Sequence, residues 1–276
     1  MTPAAVLPGT DEWLEGLGAP DDDGDLAAAL VRRGAAIGAH LRAGPLERTR
    51  KTSAADFVTA ADHRAEADIV AALSALRPDD GIVGEEGSTW PSSSGRTWVI
   101  DPIDGTFNFA NGVGPWCSAI ALRHSDGSLV GAIRQEPSDE TWVGRVDAHG
   151  QGETTLNGRH LPKLAGHDLA DGALATYLHA RRLADPALLE PWLAAARGAA
   201  TVRMFGSSSS ELAAVATGRT GAFLQCGTAD WDWYPGLALV RGVGGVGSVI
   251  HHRDRRWHIA GASRVVDQVT HLLTSA

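Results

Sequence analysis

A chain of 276 residues can form one large domain or two closely packed halves, and 43% hydrophobic with 21% charged residues allows a sizeable core. The formal net charge of −9 argues against non-specific binding to nucleic acid or an anionic membrane surface. No stretch approaches the length of a membrane span, and the N-terminus lacks the basic and apolar regions of an export signal, so a cytoplasmic protein is expected. Residues 1–24, rich in Pro, Gly and Asp, are expected to be a flexible lead-in. Its Asp21-Asp22-Asp23 run reads as a solvated approach to a helix N-terminus.

A first half is expected over 25–149. The spacing predicts a helix over 26–41 ended by Gly44-Pro45, and a second over 60–76 followed by Pro78. Ile82-Val83 predicts a short strand that delivers Glu85 and Glu86 to its end. Thr97 to Ile100 predicts a buried strand that leaves its sheet at Asp101, because Pro102 has no N–H to donate. Alternation then predicts antiparallel strands over 117–123, 129–133 and 141–146. A second half, 150–276, should carry helices near 186–196, 208–217, 232 onward and 265–273. Its expected strands lie near 202–205, 222–225 and 246–250. Gly206 and four serines cap the helix at 208, with Glu211 placed for a capping box. Helices, then strands, then helices imply a layered α/β or α+β sandwich. Cys117 and Cys226 lie in apolar runs and are expected as buried free thiols, not as a disulfide or a nucleophile.

The acidic residues carry the chemistry. Glu85 and Glu86 follow one strand, Asp101 and Asp104 bracket Pro102-Ile103, and Asp232 lies far downstream after Trp231. Brought together, five such side chains would repel one another and raise their own pKa values. Divalent cations resolve that conflict, and magnesium favours oxygen ligands from a few carboxylates. Gly105 lets the backbone approach a ligand closely, and the amides of Gly105 and Thr106 could then meet a phosphate oxygen. Taken alone, Asp-Pro and Asp-Gly would signify only a turn with solvated carboxylates.

At these residues the chain resembles the inositol monophosphatase family of magnesium-dependent, lithium-sensitive phosphatases. The likeness rests on Lys51 with 56–62, on Gly84-Glu85-Glu86, on 98–108, on Trp231-Asp232 and on Gly244-Gly245, with a weaker Asn-Gly turn at 157–158. It implies an α-β-α-β-α sandwich of the inositol monophosphatase and fructose-1,6-bisphosphatase type, with two or three magnesium ions per subunit and a homodimer. Glu85, Asp101 and the Ile103 carbonyl should bind the first ion. Asp101, Asp104 and Asp232 should bind the second, and a looser third would rest on Glu85 with Glu86 nearby. Thr106 paired with Asp62 should support the attacking water, with Glu85 alongside in catalysis. The plain alternative for Asp62 and for Asp232 is a helix cap. Trp98 and Trp231 adjoin these ligands and should wall the site.

The substrate is expected to be a small phosphorylated metabolite. Gly206, Ser207, Ser208, Gln225 and Asp230 lie where the family approaches it. Relatives that hydrolyse inositol phosphates carry a glutamate where this chain has Gln225, and a neutral acceptor bonds a hydroxyl more weakly than a charged one. Inositol, another sugar, histidinol and nucleoside phosphates therefore all remain open. A 3′-phosphoadenosine phosphate-type nucleotidase would need a base pocket, and a non-catalytic metal-binding relative would not need Thr106 and Asp62. The His-rich run 251–258 reads as a polar turn, and the glycines at 242–247 do not open a helix after a strand as a nucleotide loop would.

Overall fold

The computed structural model describes residues 7, 9–18, 20–44, 48–53 and 56–276, with the side chains of 48, 50–53 and 56–58 outside that description. The Lys51 side chain therefore lies outside it. The chain opens with helices α1 (Thr10–Leu17) and α2 (Asp23–Arg42), the hairpin β1 (Arg48–Ser53) and β2 (Asp56–Thr59), and helix α3 (Ala60–Leu76). Strands β3 (Gly81–Gly84), β4 (Thr89–Trp90) and β5 (Arg96–Asp104) follow, then the short helix α4 (Thr106–Asn111). A meander of β6 (Cys117–His124), β7 (Leu129–Gln135), β8 (Glu140–Val146), β9 (Gly152–Leu156) and β10 (Arg159–His160) completes the first sheet. Its order is β10-β9-β8-β7-β6-β5-β3-β4, with β3 and β5 parallel and the other neighbours antiparallel.

The second sheet, in the order β12-β11-β13-β15-β14, is built from β11 (Ala173–Tyr177), β12 (Thr201–Arg203), β13 (Ala222–Cys226), β14 (Val246–His252) and β15 (Arg255–Gly261). The helices α5 (Pro186–Gly198), α6 (Ser208–Ala216), α7 (Asp230–Gly242) and α8 (Ser263–Thr274) lie between or after these strands.

Strand alternation distributes the cores. In β6, Ile120 and Leu122 pack with Leu26, Leu30, Ile69 and Leu73 of α2 and α3. Ala119 and Ala121 face the other way, toward Leu212 of α6 and Leu237 of α7. In β13, Phe223 joins that inner core, whereas Leu224 turns outward to Val265, Val269 and Leu273 of α8. The layers thus run α2/α3, first sheet, α6/α7, second sheet, α5/α8. This is the five-layer sandwich that the resemblance implies. No described helix is long and apolar enough to cross a membrane.

Several expectations change. Within 1–24, residues 10–17 form a helix whose partly buried Trp13, Leu14 and Leu17 pack on the α2/α3 core; 1–6, 8 and 19 lie outside the described residues. The strand through Asp101 does not end there. It continues to Asp104 through a bulge in which Pro102 and Ile103 oppose Ser118, between the pairs Asp101↔Ala119 and Asp104↔Cys117. Position 150 does not divide the sheets, since β9 and β10 still pair with the first and the change falls between His160 and Ala173. Trp98 is fully buried in the α2/α3 core with its indole N–H on Asp80, 2.9 Å away, so it does not wall the site. The run 251–258 is a hairpin turning at Arg253-Asp254, and His258 is buried edge-on to Trp233 with ring centroids 4.9 Å apart.

Candidate active site

The site gathers at the C-terminal ends of β3 and β5. Because these strands run parallel, with Gly84 opposite Ile100, their acidic exits emerge at one edge. The Glu85 amide still bonds the Ile100 carbonyl at 3.1 Å, which brings Glu85 alongside Asp101. Asp101 and Asp104 are three apart and would face opposite sides of a regular strand. The extra residue of the bulge returns them to the same side. Asp101 accepts the Ile103 amide at 3.1 Å, which shapes that bend, while the Ile103 side chain is fully buried beside Phe109 and Trp116. Asp232 enters from the first turn of α7.

One carboxylate oxygen each from Asp101, Asp104 and Asp232 lies within 4.8 Å of the others. Burial first, then the charges of Glu85, Asp104 and Asp232, push Asp101 well above the ordinary carboxylate range. Burial, then Asp104 and Glu85, push Asp232 up in the same way. Asp104 is raised by burial too, but the Ser209 amide at the start of α6 donates to its Oδ2 at 2.5 Å and opposes that shift. The donor set is all oxygen. The Cys117 thiol, 3.9 Å from Asp104, is itself pushed up by burial and stays protonated. Hard oxygen donors whose charges are unreconciled fit magnesium better than a thiolate-seeking or imidazole-seeking metal. Both cysteines are free, Cys117 buried and Cys226 only partly so.

Thr106 and Asp62 meet beside this triad. The Thr106 hydroxyl lies 3.3 Å from Asp62 Oδ1 and 3.1 Å from the Ile103 carbonyl. Asp62 Oδ2 meanwhile accepts the Thr59 amide at 2.8 Å and the Thr59 hydroxyl at 2.6 Å, closing the capping box of α3. Capping and facing Thr106 are thus done by different oxygens of one carboxylate. A cleft of about 180 Å³ opens here, lined by Glu85, Asp104, Gly105, Thr106, Phe107, Tyr177, Gly206, Ser207, Ser208 and Gln225. Gly105, at φ +88°, would place any Cβ 3.1 Å from the Gly206 carbonyl and 3.2 Å from that of Pro115, so only glycine fits this approach.

One expected residue stands elsewhere. Asp230 does not line the cleft. It pairs with Arg123 at 3.2 Å and lies 3.9 Å from Arg256. Glu86, next to Glu85 at the end of β3, is nearly buried and lies 3.8 Å from His63. Three residues to which local reading gives no role at the site hold it together. Glu66, on the buried face of α3, accepts the amides of Glu86 at 2.9 Å and Ser88 at 3.1 Å and so fixes the turn after β3. Asn108 donates to the carbonyls of Pro115 and Phe205, joining the α4 loop to the segment before α6. Glu211 makes no capping box with Ser207. It accepts the Phe205 amide at 2.8 Å and the Gly206 amide at 3.3 Å, and burial pushes its carboxyl up to about 8. The signal for Glu66 and Glu211 was a charged residue inside an otherwise apolar helical face.

A family model described as the inositol monophosphatase family matches residues 22–271. The chain belongs to that family. As a member it is a phosphatase, a phosphoric monoester hydrolase. An inositol-1-monophosphatase of Rhizobium meliloti is 36% identical over 194 residues, 69% of this chain and 71% of that protein. A Pseudomonas aeruginosa protein named Nus factor SuhB is 37% identical over 200 residues, 70% and 72% of the two chains. The crystal structure of the extragenic suppressor protein suhB from Bartonella henselae superposes with a TM-score of 0.81 at 25% identity, covering 91% of this phosphatase and 98% of that chain.

Proposed function

We infer that this phosphatase hydrolyses a small phosphomonoester in a magnesium-dependent reaction at the cleft between β3, β5 and the N-termini of α6 and α7. The meeting of Asp101, Asp104 and Asp232 oxygens within 4.8 Å carries the reading. Those three carboxylates, with Glu85 and the Ile103 carbonyl beside them, would hold magnesium, which supplies charge neutralisation at the phosphoryl oxygens.

The remaining work falls to the chain. Thr106 has one hydroxyl proton and two acceptors in reach, so it donates to Asp62 whenever the Ile103 carbonyl is engaged elsewhere. Its lone pairs then hold the attacking water, and Asp62 provides the acceptor toward which that water's proton moves. The water oxygen bonds to phosphorus as the phosphorus–oxygen bond to the alcohol breaks; the departing alkoxide takes up a proton from solvent water, and Asp62 returns its own to solvent. Phosphoryl transfer asks mainly for positioning and charge stabilisation, so no Ser, Cys or His nucleophile is required. Gly105 and Thr106 cradle the phosphate, while Gly206, Ser207, Ser208 and Gln225 border the alcohol. Magnesium dependence, lithium sensitivity, a cytoplasmic location and a homodimer belong to the same proposal.

The test is phosphate release with and without magnesium across inositol, sugar, histidinol and nucleoside phosphates. Magnesium-dependent turnover of at least one ester is expected. Release that ignores magnesium, or none from any ester, would sink the reading.

A further inference from the structure

Beyond the cleft, past Tyr177 and Gln225, lies a second recess of about 170 Å³, enough for several waters or a small charged group. Tyr177 and Gln225 line both spaces, so the two adjoin at these side chains. The recess is walled by Leu178 and Leu188 and carries His179, Arg181 and Arg182.

Its charge is one-sided. Among the described residues neither Arg181 nor Arg182 has a carboxylate partner, whereas nearby Arg255 is held by Asp185 at 2.8 Å and Arg253 by Glu190 at 2.6 Å. The Arg182 guanidinium lies 3.9 Å from the position a Cβ on Gly227 would take, just beyond Cys226, so it overhangs the end of β13. His179 stands beside them, its Nδ1 accepting the Arg181 amide at 3.3 Å. Gln225 at the junction is uncharged and already bonded to Ser208 at 2.8 Å, and the carboxylates felt at the recess walls are Asp185, near Cys226 and held by Arg255, and Glu211, near Tyr177.

Magnesium held by Glu85, Asp101, Asp104 and Asp232 would be engaged by the reacting phosphoryl group, so a second anionic group on the substrate needs cations of its own. Two guanidinium groups without carboxylate partners among the described residues supply them next door. We propose that this recess is the leaving-group subsite and that the alcohol part of the substrate bears a second anionic group, carboxylate or phosphate, bound by Arg181 and Arg182. The proposal rests on the cleft being the phosphatase site described above.

The experiment compares kcat/KM, in magnesium, for three-carbon esters: glycerol phosphate, phosphoglycerate and propanediol bisphosphate. A charge-assisted hydrogen bond corresponds to about tenfold or more, so at least one anionic ester should exceed glycerol phosphate by that factor. Preference for phosphoglycerate assigns a carboxylate, and preference for the bisphosphate assigns a phosphate. In the Arg181→Ala/Arg182→Ala variant the ratio should collapse toward one, and Gln225→Glu should lower it by setting a like charge at the junction. The ratio does not depend on the fraction of active protein. A ratio near one in the unaltered chain, or one that the double variant leaves unchanged, overturns the proposal. If none of these three esters is turned over, the phosphatase reading is still judged by its own panel, and calorimetry decides the subsite. Phosphoglycerate or the bisphosphate should then bind at least about tenfold more weakly to the double variant; equal or absent binding in both proteins overturns it.

Discussion

Asp101, Asp104 and Asp232 place like charges within 4.8 Å of one another where burial desolvates them, so function and stability pull against each other at these residues. Asp101→Asn removes one of those charges. Phosphate release in magnesium should fall roughly hundredfold or more, while the Tm of the chelator-treated protein should rise. A parallel loss of both would show that Asp101 is structural only. The pH response follows from the same residues. Their folded pKa values lie above the unfolded ones, as does that of Glu211 at about 8. The native state therefore binds more protons than the unfolded chain, and stability present at low pH is lost as pH rises through the folded values. In chelator, Tm should fall from about pH 5 to about pH 8. Glu211→Gln keeps an oxygen for the Phe205 and Gly206 amides but cannot ionise, so its Tm should fall less steeply; an unchanged slope would remove Glu211 from the account.

At the scale of elements, the site depends on how a strand ends. The turn after β3 is held from behind by α3, through the two amides that Glu66 accepts. Glu66→Ala leaves both amides without that acceptor. A loss of about 1–3 kcal/mol in denaturant unfolding is expected, together with weaker magnesium binding by calorimetry, because Glu85 is no longer presented at a fixed angle. Gly84→Ala tests the same device from the other side. A Cβ there would sit 2.5 Å from the Glu66 carboxylate, so it should weaken magnesium binding in the same direction. Full magnesium affinity in either variant would show that the turn stands without Glu66. The β5 bulge belongs to this scale too, since it alone turns Asp101 and Asp104 to one side.

Over the whole molecule, ligands come from the edge of the first sheet and from the middle helical layer, so a cation joins layers that otherwise meet through apolar packing. A ligand that binds only the folded state stabilises by mass action, about 2.7 kcal/mol at a hundredfold excess over Kd. Magnesium should accordingly raise Tm in a concentration-dependent way, and Asp232→Ala, which breaks the link between the layers, should lose most of that shift. Indifference of the unaltered chain to magnesium would count against the site. Light scattering in the same buffer should report twice the chain mass for the expected homodimer.

The residue pattern by itself determined the strands that alternate, the helices with apolar faces, the acidic motif around Pro102 and hence the family, because these depend on neighbours a few positions apart. It passed over β11, a short run of Ala and Thr with little strand signature, and β15, hidden in a polar stretch; both are strands because neighbours on either side supply their hydrogen bonds. Only the tertiary structure chose between Asp230 and Asp232. Two residues apart on a helix, they point about 200° from each other, so when α7 packs between the sheets one carboxylate enters the site and the other meets Arg123. The same packing directs Glu66, Asn108 and Glu211 to the loops they hold, over distances along the chain at which local pattern carries no direction.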